Sequence, residues 1–188
     1  MKEQVILVDN LDRPLGIMPK LEAHQKGLLH RAFSVFVFNS NGELLLQQRA
    51  INKYHSSGLW SNTCCSHPFP GELVHMAAGR RLKEEMGLKC VLKPAFSFIY
   101  RSNLDSGLIE HEYDHVFFGY SDDLPVINKT EVKDYKYLDV QLLADEIIKH
   151  PKKYTIWLRK CITDVIEYSN KPVNEINLRL EKQNFLQQ

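Results

Sequence analysis

Residues 61–68 place a thiol and an imidazole two positions apart, at Cys65 and His67. A helical pattern follows and ends in two adjacent carboxylates, Glu84 and Glu85, just before a glycine. Thiols, imidazoles and carboxylates are the side chains that bind transition metals and transfer protons. Their closeness along the chain predicts a metal-assisted site for a phosphorylated substrate.

Three histidines form the first candidate metal-binding set: His24, His30 and His67. Each lies in a predicted loop or at the end of one. Three imidazoles suit a borderline metal such as Zn²⁺ or Mn²⁺. A loop histidine taken alone is more often a polar surface residue, because histidine is common on protein surfaces. The spacing leaves both interpretations open.

Paired carboxylates form the second candidate set. Residues 110–114 read Glu-His-Glu-Tyr-Asp, partly within a predicted strand. Alternate residues of a strand share a face, so Glu110 and Glu112 point the same way. Two neighbouring carboxylates either repel each other or share a cation. The alternative is a solvated strand face, which is common in antiparallel sheets and is favoured by the pattern alone.

Basic side chains form the third set, and their value depends on how close they come to the carboxylate helix. Arginine pairs with phosphate in a planar, bidentate way, whereas lysine acts as a point charge. Scattered basic residues more often serve solubility alone. The members of this set are Lys20, Arg49, Lys53, Arg80 and Arg81.

Cys65 has a structural and a chemical interpretation. A buried cysteine is usually a small, inert hydrophobe. Beside His67, in a loop bracketed by proline and glycine, it becomes a candidate proton donor or nucleophile. Its neighbour Cys64 is expected to point elsewhere. A Cys-His hydrolase stays open as an alternative, although no third, orienting residue lies at a recognisable spacing.

The composition is that of one ordinary globular domain. The chain has 188 residues, 44% hydrophobic and 25% charged, with a net charge of +1. We therefore expect no general attraction to nucleic acid or to acidic membranes. No apolar run approaches the roughly 20 residues that span a bilayer, and the start lacks a signal peptide's apolar core. The four cysteines do not resemble a disulfide framework, so we expect a cytoplasmic protein.

Hydrophobic patterns predict a single α+β domain with a mixed sheet. Predicted strands cover residues 5–9, 33–38, 43–48, 91–100, 112–120 and 135–138, with a hairpin turn at 39–42. Predicted helices cover residues 72–86, 140–149 and 152–168. The remaining stretches are a turn at 10–16, an irregular polar segment at 20–30, a long loop at 50–71 and a polar tail at 169–188.

Capping residues support two of the predicted helices. Gly71 and Gly87 bracket the helix 72–86, and Asp139 precedes the helix 140–149. One face of the first helix is expected to carry Leu73, Met76, Ala77, Arg80 and Glu84.

The helix 72–86 resembles the Nudix box. That motif runs Gly, five residues, Glu, seven residues, Arg-Glu-aliphatic, one residue, Glu-Glu, one residue, Gly-aliphatic. The matching positions are Glu72, Arg80, Leu82, Glu84, Glu85, Gly87 and Leu88. Ser66 replaces the first glycine, and Arg81 replaces the glutamate after the arginine. The resemblance therefore implies a weakened multi-magnesium site and added positive charge where a diphosphate could bind.

Further segments make most of the chain resemble type I isopentenyl-diphosphate isomerase, a family with a degenerate Nudix box. They are Asn62-Thr63-Cys64-Cys65-Ser66-His67-Pro68, His24 and His30 with the following Ala-Phe-Ser, Arg49-Ala50-x-x-Lys53, Gly58-Leu59-Trp60-Ser61-Asn62, Tyr100-Arg101, Glu110-x-Glu112 and Trp157. The resemblance implies a Nudix-like mixed sheet sandwiched by helices. It also implies a single isomerase domain over residues 1–188, with an N-terminal strand and metal-binding loop at 1–30.

The resemblance implies a role for each candidate residue. One divalent ion, Mn²⁺ or Zn²⁺, would be bound by His24, His30, His67, Glu110 and Glu112. Mg²⁺ would be bound by Glu85 together with the diphosphate, and the diphosphate would be surrounded by Lys20, Arg49, Lys53 and Arg81. Proton transfer and cation stabilisation are assigned to Cys65, Glu112, Tyr100 and Trp157. The expected partner is a small prenyl diphosphate, and the expected assembly is a monomer or weak dimer.

Three other functions remain as alternatives. A Nudix pyrophosphohydrolase of a nucleoside or other diphosphate is the first, although Arg81 in the box argues against it. A metal or diphosphate binder without catalysis is the second. The cysteine hydrolase is the third.

Overall fold

The computed structural model describes residues 3–104 and 107–170, and within them it contains nine strands and four α-helices. The strands are β1 (Gln4–Val8), β2 (Pro14–Pro19), β3 (His30–Phe38), β4 (Leu44–Arg49), β5 (Trp60–Ser61), β6 (Cys64–Ser66), β7 (Lys93–Asn103), β8 (Ile109–Tyr120) and β9 (Val132–Leu138). The helices are α1 (Lys20–Lys26), α2 (Val74–Met86), α3 (Val140–Lys149) and α4 (Ile156–Ser169).

Strand β3 is the centre of the sheet. It pairs antiparallel with β1, β4 and β6, and parallel with β8 over its whole length. Strand β8 also pairs antiparallel with β7, and β4 pairs with β5 and β9. The sheet is therefore mixed, as predicted, and β2 extends it through β1.

Helices cover both faces of this sheet. Alternate residues of a strand point to opposite faces. Phe36 and Phe38 pack in one core with α3 and α4, whereas Val35 and Val37 pack in another with α2. The predicted α+β fold, a mixed sheet sandwiched by helices in a single domain, is confirmed.

Helix α2 ends as predicted but begins later. Gly87 adopts a left-handed conformation with φ 70°, and its backbone N–H donates to Lys83 O at 3.0 Å. A Cβ at Gly87 would also lie 2.7 Å from Val126 O, so only glycine fits. The N-cap is Leu73, so the prediction of Gly71 was wrong. The Glu72 carboxylate accepts from the Phe69 N–H at 2.9 Å, which holds these residues in a turn before the helix.

The face of α2 that was expected to carry Leu73, Met76 and Ala77 is only partly the face that packs against the core. Leu73 and Met76 are 64% and 59% exposed. The buried side carries Ala77, Ala78, Leu82, Glu85 and Met86. A polar residue, Glu85, lies among these apolar positions, and it shifts the apparent hydrophobic face when the sequence is read alone.

Residues 10–30 contain more regular structure than predicted. The turn predicted over 10–16 is shorter in the structure, because β2 begins at Pro14. The predicted irregular segment at 20–30 contains α1 and the start of β3. Helix α1 has seven residues and buries only Ala23 and His24, so it offers too little apolar periodicity to detect. His24 therefore lies on a helix and His30 on a strand, rather than in a loop.

Other boundaries differ where pairing or turns extend beyond the hydrophobic run. The predicted loop 50–71 contains β5 and β6. Strands β8 and β9 begin earlier than predicted, whereas β7 both begins and ends later. Helix α4 begins at Ile156, because a 3-10 turn occupies Pro151–Lys153. The hairpin turn after β3 and the Asp139 cap of α3 are confirmed. Most of the predicted polar tail, residues 171–188, lies outside the described residues.

Candidate active site

A cavity of about 820 Å³ opens where the apolar face of the central strands becomes polar. On β3 the face that carries Phe36 in the core carries Ser34 and His30 nearer the cavity. On β8 the same face carries Asp114 and Glu112, and all four polar side chains are buried. A buried polar group is costly unless it is paired, so this concentration marks a site rather than a simple core.

Strand register brings residues that are distant in sequence into one row. In the parallel pair of β3 and β8, His30 lies opposite Glu112. In the antiparallel pair of β7 and β8, Tyr100 lies opposite the same glutamate, and its hydroxyl donates to Glu112 Oε2 at 2.6 Å. On the other side of β3, Cys65 lies opposite Ser34.

Histidine side chains surround the two glutamates. His67 Nε2 donates to Glu112 Oε1 at 2.8 Å, and His30 Nε2 lies 3.6 Å from the same oxygen. His24 Nε2 lies 3.3 Å from Glu110 Oε2. Ligand atoms of His24, His30, His67 and Glu112 all lie within 4.8 Å of one another. The convergence that the sequence left open is therefore present.

Two of these imidazoles have their orientation fixed by backbone carbonyls. Nδ1 of His24 donates to Lys20 O at 2.8 Å, and Nδ1 of His30 donates to Leu28 O at 2.8 Å. A neutral imidazole whose Nδ1 carries the proton has a lone pair on Nε2. A carbonyl that fixes the tautomer in this way is the usual outer partner of a metal-binding histidine.

The inner atoms of this cluster lack partners among the described residues. They are Nε2 of His24, Nε2 of His30 and Oε2 of Glu110. His24 Nε2 and Glu110 Oε2 lie 3.3 Å apart, and a cation bound between them would satisfy both atoms. Three imidazoles and the Glu112 carboxylate therefore suit a divalent metal ion, and Glu110 adjoins them through His24.

Burial and hydrogen bonds shift the pKa values of the two glutamates in opposite directions. Burial and the neighbouring charge of Glu112 raise the pKa of Glu110. Burial alone would also raise the pKa of Glu112, but the contacts of its carboxylate with His30 and His67 hold it well below its usual range. Burial lowers the pKa of His67 to about 4. Glu112 is thus an ionised carboxylate beside a neutral His67.

Cys65 and Cys64 face different cores, as predicted. Cys64 is fully buried in the core under α2, whereas Cys65 packs against the core that contains Trp157. Cys65, Glu112 and Trp157 line the same cavity. Burial raises the pKa of the Cys65 thiol to about 12, so the sulfur keeps its proton at neutral pH.

Trp157 lies at the first turn of α4 with its ring fixed on two sides. Its indole N–H donates to Ser61 Oγ at 2.9 Å and to Asn62 Oδ1 at 3.1 Å. The Arg49 guanidinium lies 5.2 Å from the ring centroid. The ring therefore presents a fixed π face of the kind that attracts cations.

The structure brings the four predicted phosphate-binding residues together. Lys20, Arg49, Lys53 and Arg81 all line the cavity. Acidic side chains pair with three of them: Glu3 with Lys20 at 3.3 Å, and Glu131 with both Arg81, at 3.2 Å, and Lys53. Arg80 differs, because its guanidinium makes a bidentate pair with Glu72 across the Nudix-box segment.

Glu85 lies behind this basic wall. It is 3% exposed, its Oε1 pairs with Arg81, and its Oε2 accepts from Gln47 Nε2 at 2.9 Å. Glu85, His24, His30 and Tyr100 are not among the cavity-lining residues of the described chain. Each of them contacts a residue that does line the cavity: Glu110 for His24, Glu112 for His30 and Tyr100, and Arg81 for Glu85.

Sequence reasoning missed three residues of the site. His55 Nδ1 lies 3.7 Å from Glu110 Oε1, and His55 forms a second possible ligand group with His24 and Glu110. Asp114 lies two residues beyond Glu112, and its Oδ2 accepts from Ser34 Oγ at 2.8 Å. The alternation that pairs Glu110 with Glu112 would have included Asp114. For Glu131 no sequence signal exists, because it lies on a turn far from the other residues.

Comparisons of fold and sequence define the class of protein. Residues 28–162 match the family model described as NUDIX domain. A crystal structure of a Deinococcus radiodurans protein is 19% identical, with TM-score 0.72 over 86% of this chain and 98% of its own. The MutT protein from Methanosarcina mazei is 18% identical, with TM-score 0.63 over 76% of this chain and 96% of its own. The fold and the box together define a Nudix-domain protein.

Curated relatives narrow this class to one family. Isopentenyl-diphosphate Delta-isomerase 2 of Aromatoleum aromaticum is 56% identical over 166 residues, 88% of each chain. Isopentenyl-diphosphate Delta-isomerase of Pectobacterium atrosepticum is 53% identical over 165 residues, 88% of this chain and 92% of its own. The chain belongs to the isopentenyl-diphosphate Delta-isomerase family. The resemblance identified in the sequence is confirmed.

Proposed function

We propose that this chain interconverts isopentenyl diphosphate and dimethylallyl diphosphate. Its relatives carry the name isopentenyl-diphosphate Delta-isomerase. One observation of the structure carries the proposal: Cys65 and Glu112 line a single cavity together with Trp157. The cavity volume, about 820 Å³, is within the range of small-molecule sites. The reaction needs an acid, a base and protection of a cation, and these three side chains offer one each.

Proton transfer is assigned to Cys65 and Glu112. The Cys65 S–H gives its proton to the terminal alkene carbon, which leaves a thiolate and a tertiary carbocation. The Glu112 carboxylate removes a proton from the neighbouring carbon, and the double bond forms there. The raised pKa of Cys65 keeps the thiol protonated and the lowered pKa of Glu112 keeps the carboxylate ionised, which are the starting states that this direction needs. The hydroxyl of Tyr100 orients the carboxylate by donating to Oε2, whereas His67 contacts Oε1.

Trp157 is assigned to the carbocation. A desolvated aromatic face attracts a positive charge by about 2 kcal/mol. Because the indole is fixed by Ser61 and Asn62, its face needs no rearrangement as charge develops.

The diphosphate is the part of the substrate that positions the rest. Lys20, Arg49, Lys53 and Arg81 surround it in this proposal. Arg81 would exchange Glu131 and Glu85 for phosphate oxygens. Glu85 would then be free to hold the Mg²⁺ that accompanies the diphosphate.

The histidine and glutamate cluster is assigned to one Mn²⁺ or Zn²⁺. His24, His30, His67, Glu110 and Glu112 would hold the ion. The unpartnered Nε2 atoms of His24 and His30 and Oε2 of Glu110 support this. When bound, the ion supplies positive charge that keeps the Glu112 carboxylate ionised and fixed in place. The Tyr100 hydroxyl, which donates to Glu112 Oε2, then fixes the orientation of the carboxylate.

Incubation with isopentenyl diphosphate tests the function directly. Proton NMR should show dimethylallyl diphosphate accumulating to equilibrium, phosphate release should stay at background, and a chelator should stop turnover. Phosphate release without isomerisation would instead indicate a pyrophosphohydrolase. Metal binding without turnover of either prenyl diphosphate would indicate a non-catalytic binder.

Two further properties stay predictions. The cytoplasmic location is inferred from the sequence, and the four cysteines are free in the structure. A monomer or weak dimer is the expected assembly, which light scattering would test. In the part of the chain that the structure covers, no helix is long and apolar enough to span a membrane.

A further inference from the structure

The side chain of Asn62 is fully buried and uses its whole hydrogen-bonding capacity. Its Nδ2 donates to Cys64 O at 2.7 Å and to Val35 O at 3.1 Å. Its Oδ1 accepts from Ser61 Oγ at 3.0 Å and from Trp157 Nε1 at 3.1 Å. A carboxamide has two N–H donors and two acceptor lone pairs, so nothing in this side chain is left to change partners.

The donor end of Asn62 fixes the backbone that carries the thiol. Cys64 O belongs to the peptide unit whose nitrogen is that of Cys65, and a peptide unit is planar. Holding the oxygen therefore holds the start of Cys65. The second donor reaches Val35 on β3, the strand with which Cys65 is paired. Asn62 thus connects β6 to β3 beside the thiol.

The acceptor end of Asn62 fixes the aromatic wall. The indole N–H of Trp157 is shared between Asn62 Oδ1 and Ser61 Oγ, and Ser61 Oγ lies 3.2 Å from Thr155 Oγ1 at the N-cap of α4. An in-plane rotation of the ring would break both bonds. One carboxamide therefore contacts two elements that are far apart in sequence, and each of them brings one candidate catalytic group to the cavity.

We propose that Asn62 is a positioning residue that holds the Cys65 thiol and the Trp157 ring in a fixed relation across the cavity. Its importance for turnover rests on the proposed isomerase function, but its effect on the two side chains does not. Asn62 is not among the residues that line the cavity, so it acts through Cys65 and Trp157 rather than on the substrate.

Thr63 provides the matched control. It is also fully buried and also joins strands, because its Oγ1 accepts from Val37 N at 2.9 Å and donates to Leu45 O at 2.6 Å. These hydrogen bonds reach neither the thiol nor the indole. Thr63→Val removes a buried polar link of the same kind from the neighbouring position, and it should lower the melting temperature with little effect on the site.

The variants Asn62→Ala and Asn62→Asp should alter the site in different ways. Asn62→Ala removes both the acceptor oxygen and the two N–H donors. Asn62→Asp keeps an acceptor for the indole N–H but loses the amide donors. We expect Asn62→Ala to lower kcat about a hundredfold, the effect of a roughly 1 Å misplacement, with KM nearly unchanged. Asn62→Asp also keeps the shape of the side chain, so it serves as the test if Asn62→Ala does not fold.

Two measurements follow the positions of the side chains without relying on turnover. Alkylation of Cys65 by a maleimide, located by peptide mass spectrometry, should be several-fold faster in both Asn62 variants. The Trp157 indole N–H, assigned in ¹⁵N spectra with Trp157→Phe, should shift and exchange faster in Asn62→Ala, and should change little in Asn62→Asp. The chain has two tryptophans, so Trp60 is an internal reference.

The outcomes separate the two proposals. If Asn62→Ala and Thr63→Val change alkylation, the indole signal and kcat by similar factors, Asn62 has only a structural role and the inference is wrong. If the wild-type chain has no isomerase activity, the proposed function fails, while alkylation and the indole signal still decide whether Asn62 positions Cys65 and Trp157.

Discussion

Two glutamates only two residues apart have opposite pKa shifts, and the cause lies in individual contacts. Glu112 accepts hydrogen bonds from His67 and Tyr100, whereas Glu110 is buried beside the negative charge of Glu112. Hydrogen bonds to the charged form lower a carboxyl pKa, and burial without them raises it. The residue predicted to act as a base is thus the one whose surroundings favour the ionised form.

Trp157 should affect the rate more than binding, because a carbocation exists only along the reaction path. Trp157→Ala should lower kcat about thirtyfold, the equivalent of about 2 kcal/mol of lost cation–π attraction. KM should change by less. Steady-state kinetics of Trp157→Ala beside Trp157→Phe, which keeps a weaker π face, would check this. A change confined to KM would mean that the ring only packs against the substrate.

At the scale of elements, local patterns predict most strands, but they do not predict which strands pair. The sequence identifies His30, Cys65 and Glu112 as candidates. Their meeting depends on the parallel pairing of β3 with β8 and the antiparallel pairing of β3 with β6. These pairings join segments separated by long stretches of chain, so no local periodicity encodes them. Only the family resemblance made the convergence an expectation.

Short elements were missed for a related reason. Helix α1, with seven residues, and strands β5 and β6, with two and three, are too short to show a hydrophobic period. They hold their conformation through tertiary contacts, such as Thr155 N donating to Trp60 O at 2.9 Å. His24 and Cys65 lie on these elements, so the least predictable parts of the fold carry predicted site residues.

Asp12 should make the β1–β2 hairpin sensitive to acid. Its carboxylate accepts from Arg31 Nε at 2.7 Å and lies 3.0 Å from His115 Nε2, which ties the hairpin to β3 and β8. Burial would raise the pKa of Asp12, but hydrogen bonds from His115 and Arg31 lower it below 3.8. A depressed carboxyl pKa stabilises the folded state above the unfolded value, and this stability is lost as pH falls below about 4.

The variant Asp12→Asn should therefore be less stable than wild type at pH 7, by about 1.5–3 kcal/mol for hydrogen bonds to charged groups. The difference should shrink as pH falls from about 5 to 3. Asparagine tolerates the positive φ of 61° at this position, so backbone strain does not contribute. Thermal melts across this pH range, with Asp145→Asn on α3 as control, would check it. A difference that is constant with pH would contradict the assignment.

At the scale of the whole molecule, an ion in the histidine and glutamate cluster should stabilise the fold. It would join α1, β3, β8 and the residue that follows β6. Loss of an ion present at a thousand times its Kd would cost about 4 kcal/mol. For a chain of this size that corresponds to about 10 °C in melting temperature. A chelator should lower Tm by this amount, and Mn²⁺ or Zn²⁺ should restore it.

Glu112→Gln provides the control for this measurement. Its metal content by elemental analysis should fall, and its Tm should respond less to the chelator, because one ligand of the cluster is weakened. Equal metal content in the two proteins would show that Glu112 is not a ligand. A wild-type Tm that is unaffected by chelation would contradict the metal assignment as a whole.

The central claim is that the Cys65 thiol and the Glu112 carboxylate exchange protons with the substrate inside one cavity. Incubation of isopentenyl diphosphate in deuterated water, followed by mass spectrometry of both prenyl diphosphates, tests it most directly. Wild type and Cys161→Ala, a core cysteine outside the cavity, should place solvent deuterium in the hydrocarbon. Folded Cys65→Ala should do so about 10²–10⁴-fold more slowly. Deuterium uptake by Cys65→Ala at the wild-type rate would contradict the account.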